Sequence, residues 1–125
     1  MNASEVLDQQ RHADTRFGYR RNTMKQVIVR YRVKPDAAEM NTKLVEAVYA
    51  ELKEKKPSGI RYATFCADDG VTFYHVASIE TADGVNPLGK IDAFATFQKD
   101  IGERCDEPPT PTDVSEIGSY GFFGR

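Results

Sequence analysis

His75 is the one histidine in the part of this chain patterned to fold, and it stands in an alternating run opposite a second such run. Its imidazole, with an unperturbed pKa near about 6.5, is the side chain best suited to exchange a proton or hydrogen-bond an acidic hydroxyl at neutral pH. The Asp69-Gly70 pair between the two runs predicts a two-residue hairpin turn. That turn pairs Asp68 with Val71, Cys66 with Phe73, Thr64 with His75 and Tyr62 with Ala77. One sheet face then gathers Ile60, Tyr62, Thr64, Cys66, Phe73, His75, Ala77 and Ile79, and the other Arg61, Ala63, Phe65, Tyr74, Val76 and Ser78. His75 and Tyr62 are the candidate catalytic pair. Thr64, Cys66, Phe73, Tyr74, Asn41, Asn86 and Phe94 are the candidate substrate-binding residues. The same grouping also describes a core or interface histidine satisfied by Thr64 or Tyr62.

The remaining polar groups narrow the chemistry. Cys66 reads better as a small hydrophobe than as a nucleophile, because only His75 is near enough to lower its pKa. Arg30, Arg32 and Arg61 lie on strands, where pairing to carboxylates is a better reading than ligand binding. Asn41 and Tyr49 on a helix, and Asn86 in a loop, are placed to reach the space between helices and sheet, although Asn86-Pro87 also reads as a helix cap followed by proline at the first helical position. GxGxxG, P-loop, HExxH and GxSxG motifs are absent, as is any cluster with metal-ligand spacing. Dinucleotide, NTP, zinc and serine-hydrolase chemistries therefore lose their support, and neither a metal nor another cofactor is expected.

The elements that must position these groups begin at Met24. Val27, Val29, Tyr31 and Val33 alternate with Gln26, Ile28, Arg30 and Arg32, a strand signal over Lys25 to Val33. Pro35 ends it, and Asp36 with Glu39 predicts a capping box for a helix carrying Met40, Leu44, Val48 and Leu52, widened by Val45 and Tyr49. The helix stops at the basic run before Pro57. Strands follow over Ile60 to Ala67 and Val71 to Ile79, then a loop from Glu80 to Lys90. A second helix over Ile91 to Arg104 presents Phe94, Phe97 and Ile101. The Pro-rich segment Asp106 to Thr112 reads as an extended connector into a last strand carrying Val114, Ile117, Tyr120, Phe122 and Phe123. This order is a ferredoxin-like split β-α-β-β-α-β unit, an α+β fold with a four-stranded antiparallel sheet and two helices on one face. Apolar residues on both sheet faces predict that a second copy covers the other, giving a homodimer.

Composition sets the outer limits. Seventeen basic and nineteen acidic residues give a net charge of −2, which does not suit a protein that grips phosphates, so no nucleic-acid partner is expected. Two cysteines suit reduced thiols of the cytoplasm, and no apolar run reaches the length of a membrane span, so no membrane partner is expected either. Residues 1–23, rich in arginine and glutamine, read as a flexible N-terminal tail, and residues 24–125 as one domain.

The segments Lys25-Gln-Val-Ile-Val-Arg-Tyr-Arg-Val-Lys-Pro, Gly59-Ile-Arg-Tyr-Ala-Thr-Phe, Asp69-Gly-Val-Thr-Phe-Tyr-His and Gly118-Ser-Tyr-Gly-Phe, in this order, resemble the antibiotic biosynthesis monooxygenase-like family of dimeric α+β barrels. The resemblance covers about Met24 to Phe123. It implies a ligand pocket between helices and sheet in each subunit, and oxygenation of an electron-rich phenol, quinol or anthrone by O₂ without metal, flavin or other cofactor. In that chemistry the deprotonated substrate itself delivers an electron to O₂, so the protein supplies an apolar pocket, hydrogen bonds and exclusion of water. His75 with Tyr62 or Tyr74 are the residues for it. The haem-degrading relatives of this superfamily use a tryptophan, which this chain lacks. A second function is equally open to such a barrel: non-catalytic binding of a small aromatic or apolar molecule, or service as an assembly module.

Overall fold

Nine residues alternating about a fully buried Tyr31 make the first strand, β1 (Lys25–Val33), and everything else is arranged on it. In the computed structural model, which describes residues 24–122, β1 leads through a 3₁₀ turn (Pro35–Ala37) into α1 (Ala38–Lys55). The strands β2 (Ile60–Cys66) and β3 (Thr72–Ile79), a 3₁₀ turn (Pro87–Lys90), the short helices α2 (Asp92–Gln98) and α3 (Ile101–Arg104), and β4 (Cys105–Val114) complete the order. The sheet runs β2-β3-β1-β4 with antiparallel neighbours throughout. This is the ferredoxin-like α+β fold that the pattern predicts. The predicted tail over residues 1–23, and Phe123 to Arg125, lie outside the described residues.

Register follows the sequence reading although the turn does not. Cys66 faces Phe73, Thr64 faces His75 and Tyr62 faces Ala77, as a turn at Asp69-Gly70 requires. The tight turn in fact spans Ala67 to Gly70, closed by the Gly70 N–H donating to the Ala67 carbonyl at 2.9 Å, and the Ala67 N–H reaches the Thr72 carbonyl at 2.8 Å. Four residues lie between those partners instead of two, and an even change leaves the pairing intact. The Asp69 carboxylate holds the loop by accepting from Val71 N, Thr72 N and Thr72 Oγ1 at 2.9, 2.9 and 2.6 Å.

The core lies between the helices and one sheet face, where Val45 and Val48 of α1 and Phe97 of α2 meet Tyr31, Val33 and Phe73. The apolar stripe of α1 is turned from the one expected. Asn41, Val45 and Val48 are buried, whereas Met40 is 58% exposed. Asp36 makes no capping hydrogen bond; it sits within the 3₁₀ turn that Pro35 opens, and Glu39 instead pairs with Lys43 at 3.3 Å. The second helix is broken: Asp100 takes φ 60°, dividing α2 from α3. At its start, α2 is held from α1, whose Glu51 carboxylate accepts from Asp92 N at 3.0 Å and Ala93 N at 2.8 Å. With Lys55 beside it at 2.6 Å, Glu51 titrates far below the usual carboxylate range, at about 2.

The Pro-rich segment is itself the last strand. Pro108, Pro109 and Pro111 are tolerated because β4 is an edge strand, with register shifts against β1 between Arg30 and Val33. Val114 ends β4, so Ile117 and Tyr120 are not strand residues; both are fully exposed. Between α1 and β2, Gly59 has φ +82° and donates no room for a side chain, since a Cβ would stand 2.5 Å from Thr81 Cγ2. Gly59→Ala is expected to destabilise the fold by about 1–3 kcal/mol, read as a lower urea midpoint at an unchanged m-value.

Candidate functional site

His75 sits at the centre of the helix-side face, on β3 between β2 and β1, and is 5% exposed. Burying an imidazole is tolerable only if both ring nitrogens are satisfied, and here they are. Tyr31 Oη, from β1, lies 2.7 Å from Nε2, and Tyr62 Oη, from β2, lies 2.6 Å from Nδ1. Thr64 Oγ1 adds a longer contact to Nδ1 at 3.2 Å and is itself bonded to Tyr49 Oη at 2.7 Å. Both tyrosines reach the histidine because strand alternation puts positions 31, 62 and 75 on one face of three adjacent strands.

Beyond Tyr31 the network runs into α1 and α3. The Asn41 amide, fully buried, donates from Nδ2 to Tyr31 Oη at 2.9 Å. Its Oδ1 accepts from Arg104 Nε and Nη2, each at 3.4 Å. Arg104 is buried and makes no ion pair with any described residue; its charge is met by the Phe97 and Lys99 carbonyls at 2.6 and 2.9 Å, at the negative end of α2, and by the Phe97 ring 5.5 Å away.

Beside His75 opens a cavity of about 460 Å³ between the sheet and the α2–α3 segment. Tyr31, Tyr62 and His75 form its polar side, with Phe94, Phe97 and Leu88 among its apolar walls. Phe94 meets the Tyr62 ring edge-on at 6.5 Å, and Phe97 lies 5.2 Å from the imidazole. Asn86 lines the cavity and also caps the 3₁₀ turn, its Oδ1 accepting from Leu88 N at 2.9 Å. His75 therefore faces the helix-side cavity and not the opposite face of the sheet.

Several candidate residues are placed elsewhere. Tyr74 is on the opposite face by alternation, beside Arg30. Phe73 is a core side chain stacked on Tyr31 at 5.4 Å. Asn41 and Thr64 touch the site's tyrosine and histidine without lining the cavity. Cys66 is exposed at the end of β2, and its thiol pKa is raised by partial burial and by Asp69, which removes a nucleophile's advantage. Arg30 and Arg32 share Glu107 at 2.6 and 3.0 Å, and Arg61 pairs with Glu80 at 3.3 Å, as expected of strand arginines. Tyr31 and Arg104 were not among the candidates. The parity of Tyr31 already placed it on the His75 face, and a buried hydroxyl needs a partner; nothing in the spacing of Arg104 pointed to Asn41.

Burial raises the pKa of Tyr31 and Tyr62 well above the ordinary phenol range, the Asn41 amide and the Thr64 hydroxyl respectively opposing it. The same burial depresses His75 to about 4, so the imidazole is neutral throughout the physiological range. A depressed folded-state pKa means that the unfolded chain binds this proton first. Stability from the neutral imidazole is full above about pH 6.5 and is lost as the pH falls toward about 4. The loss amounts to about 3 kcal/mol, and His75→Gln is expected to flatten that part of a urea-midpoint profile taken between those pH values.

Neither a family model nor a curated protein matches the sequence significantly. Solved structures do match the fold. The "Putative antibiotic biosynthesis monooxygenase from Nitrosomonas europaea" superposes with a TM-score of 0.62 at 17% identity, over 79% of this chain and 95% of its own. A Mycobacterium tuberculosis protein gives 0.62 at 18%, over 77% and 97%. A Bacteroides thetaiotaomicron protein of unknown function, described as a possible oxidoreductase, gives 0.54 at 21%, over 73% and 97%. The chain has the fold of the antibiotic biosynthesis monooxygenase-like structures.

Proposed function

We propose, from a fold shared with structures named as antibiotic biosynthesis monooxygenases, that this chain oxidises an electron-rich phenol, quinol or anthrone with O₂ without a cofactor. The observation that carries this reading is the apolar cavity of about 460 Å³ with one polar corner, Tyr31–His75–Tyr62. A planar aromatic fits between the aromatic walls, and its oxygen meets Tyr62. For an anthrone the reaction is balanced by the substrate alone: the methylene carbon gives up both hydrogens, one oxygen atom becomes the new carbonyl, and the other leaves as water. The protein need only stabilise the substrate anion as it forms and keep bulk water away. His75 and Tyr62 carry the first task; Phe94, Phe97 and Leu88 carry the second.

The active form in this reading is a homodimer in the cytoplasm. Ile28, Tyr74 and Val76 are only half-buried on the helix-free face, Phe65 is 47% exposed there, and Ile117 and Tyr120 project beyond β4. A second copy covers this surface. Light scattering is expected to show a dimer at micromolar concentration, and a folded monomer there would remove the closed barrel.

One observation favours a second reading, binding without turnover: both nitrogens of His75 are already bonded within the protein, which leaves it no free lone pair to act as a base. Oxygen uptake by the metal-free protein with a panel of anthrones and quinols separates the two. Catalysis is expected to exceed the spontaneous rate, to fall about 10²-fold in Tyr62→Phe and to disappear in His75→Ala. Uptake equal to the spontaneous rate across the panel, with the ligands still bound, would put the binding module first.

A further inference from the structure

Arg104 is a donor at every nitrogen, and that one fact propagates through the site. Because the guanidinium can only donate, the atom of Asn41 facing it must be Oδ1, and Nδ2 must face Tyr31. An amide nitrogen can only donate in turn, so Tyr31 Oη accepts from Asn41 and its own proton is left to donate. The acceptor within reach is His75 Nε2 at 2.7 Å. The opposite tautomer would aim Nε2–H at an oxygen that already accepts from Asn41, leaving a fully buried tyrosine proton unsatisfied. The imidazole proton is therefore on Nδ1, donated to Tyr62 Oη at 2.6 Å with Thr64 as the longer branch. Tyr62, accepting from His75, has its hydroxyl proton free for the cavity it lines.

We propose that Arg104, through Asn41 and Tyr31, fixes His75 as the Nδ1–H tautomer, so that Tyr62 presents a hydrogen-bond donor to the cavity. The ligand oxygen selected there is an acceptor, the carbonyl of an aryl ketone or a phenolate, and not the O–H of a neutral phenol. Arg104, Asn41 and Tyr31 are positioning residues that act through His75. The ligand half of this inference rests on the cavity being the binding site proposed above; the tautomer half does not. Within that reading it narrows the substrate class from quinols and anthrones alike to the keto form or the pre-formed anion, since a ketone reaches its enolate as Tyr62 strengthens its bond to the developing charge.

The chain holds two histidines, so His12→Gln leaves His75 as the only one. Long-range ¹H–¹⁵N spectra of that protein, labelled at histidine, are expected to show a protonated Nδ1 and an unprotonated Nε2 at neutral pH. A protonated Nε2, or an average of the two forms, would overturn the proposal. Asn41→Asp reverses the logic: the carboxylate accepts from both Arg104 and Tyr31, Tyr31 Oη then accepts Nε2–H, and the tautomer is expected to switch. Should that variant not fold, Tyr31→Phe removes the donor to Nε2, and an undiminished Nδ1–H signal in it would also overturn the proposal. For the ligand half, 9-fluorenone, an acceptor only, is expected to bind about tenfold tighter than fluorene to the wild type and with no preference to Asn41→Asp. Equal binding of the two by the wild type would overturn it. Oxygen uptake is a separate readout, so an inactive protein with the Nδ1–H tautomer and a fluorenone preference would refute the oxygenase reading alone.

Discussion

A neutral imidazole in the middle of a buried sheet face is a large polar liability, and the pair of tyrosines bonded to its two nitrogens is what makes it tolerable. Each tyrosine has to come from a neighbouring strand on either side of β3, which gives the register of both pairings a chemical as well as a hydrophobic consequence. A one-residue slip of β1 would carry Tyr31 to the other face and leave Nε2 without a partner. Tyr31 in turn stacks on Phe73 and approaches Phe97, so the hydrogen-bonded centre and the apolar core share their side chains. Packing and site cannot be altered independently here.

The arginines of the helix-free sheet face and the arginine on the helix side are held in contrasting ways. On the helix-free face, arginines meet carboxylates: Arg30 and Arg32 meet Glu107, and Arg61 meets Glu80, all partly solvated and therefore of modest energetic weight. On the helix side a single guanidinium is held by carbonyls and an amide. A carboxylate there would be a more ordinary partner, but it would reverse the direction in which every later hydrogen bond donates. Neutral partners preserve both the positive charge and its orientation along the chain of side chains.

How much of this was legible in the sequence depends on the range of the interaction. Strand alternation and the Asp-Gly turn located β1, β2 and β3, and they brought Tyr62, Thr64 and His75 together, because parity survives an error in the loop: the turn closes at Ala67–Gly70 and the register is unchanged. Proline misled, since a Pro-rich run looks like a connector unless it is known to lie at a sheet edge. Helical periodicity from Ile91 to Arg104 did not reveal the left-handed Asp100 at which α2 gives way to α3. That turn swings Arg104 toward Asn41, which is why the far end of the network had no local signature.

The seven residues of α2 are too few for a helix to persist by its own hydrogen bonds. Its order comes from Phe97, packed into the core, and from its two ends, where Glu51 takes the first free N–H groups and Arg104 the last carbonyls. Both clamps belong to other elements, and between them α2 carries Phe94 and Phe97 over the cavity. Opening of this wall is therefore expected to need release of both clamps together with the Phe97 packing, which ties exchange of the α2 amides to the core beneath. Lifting α2 from the sheet would both widen the cavity and expose the α2 amides.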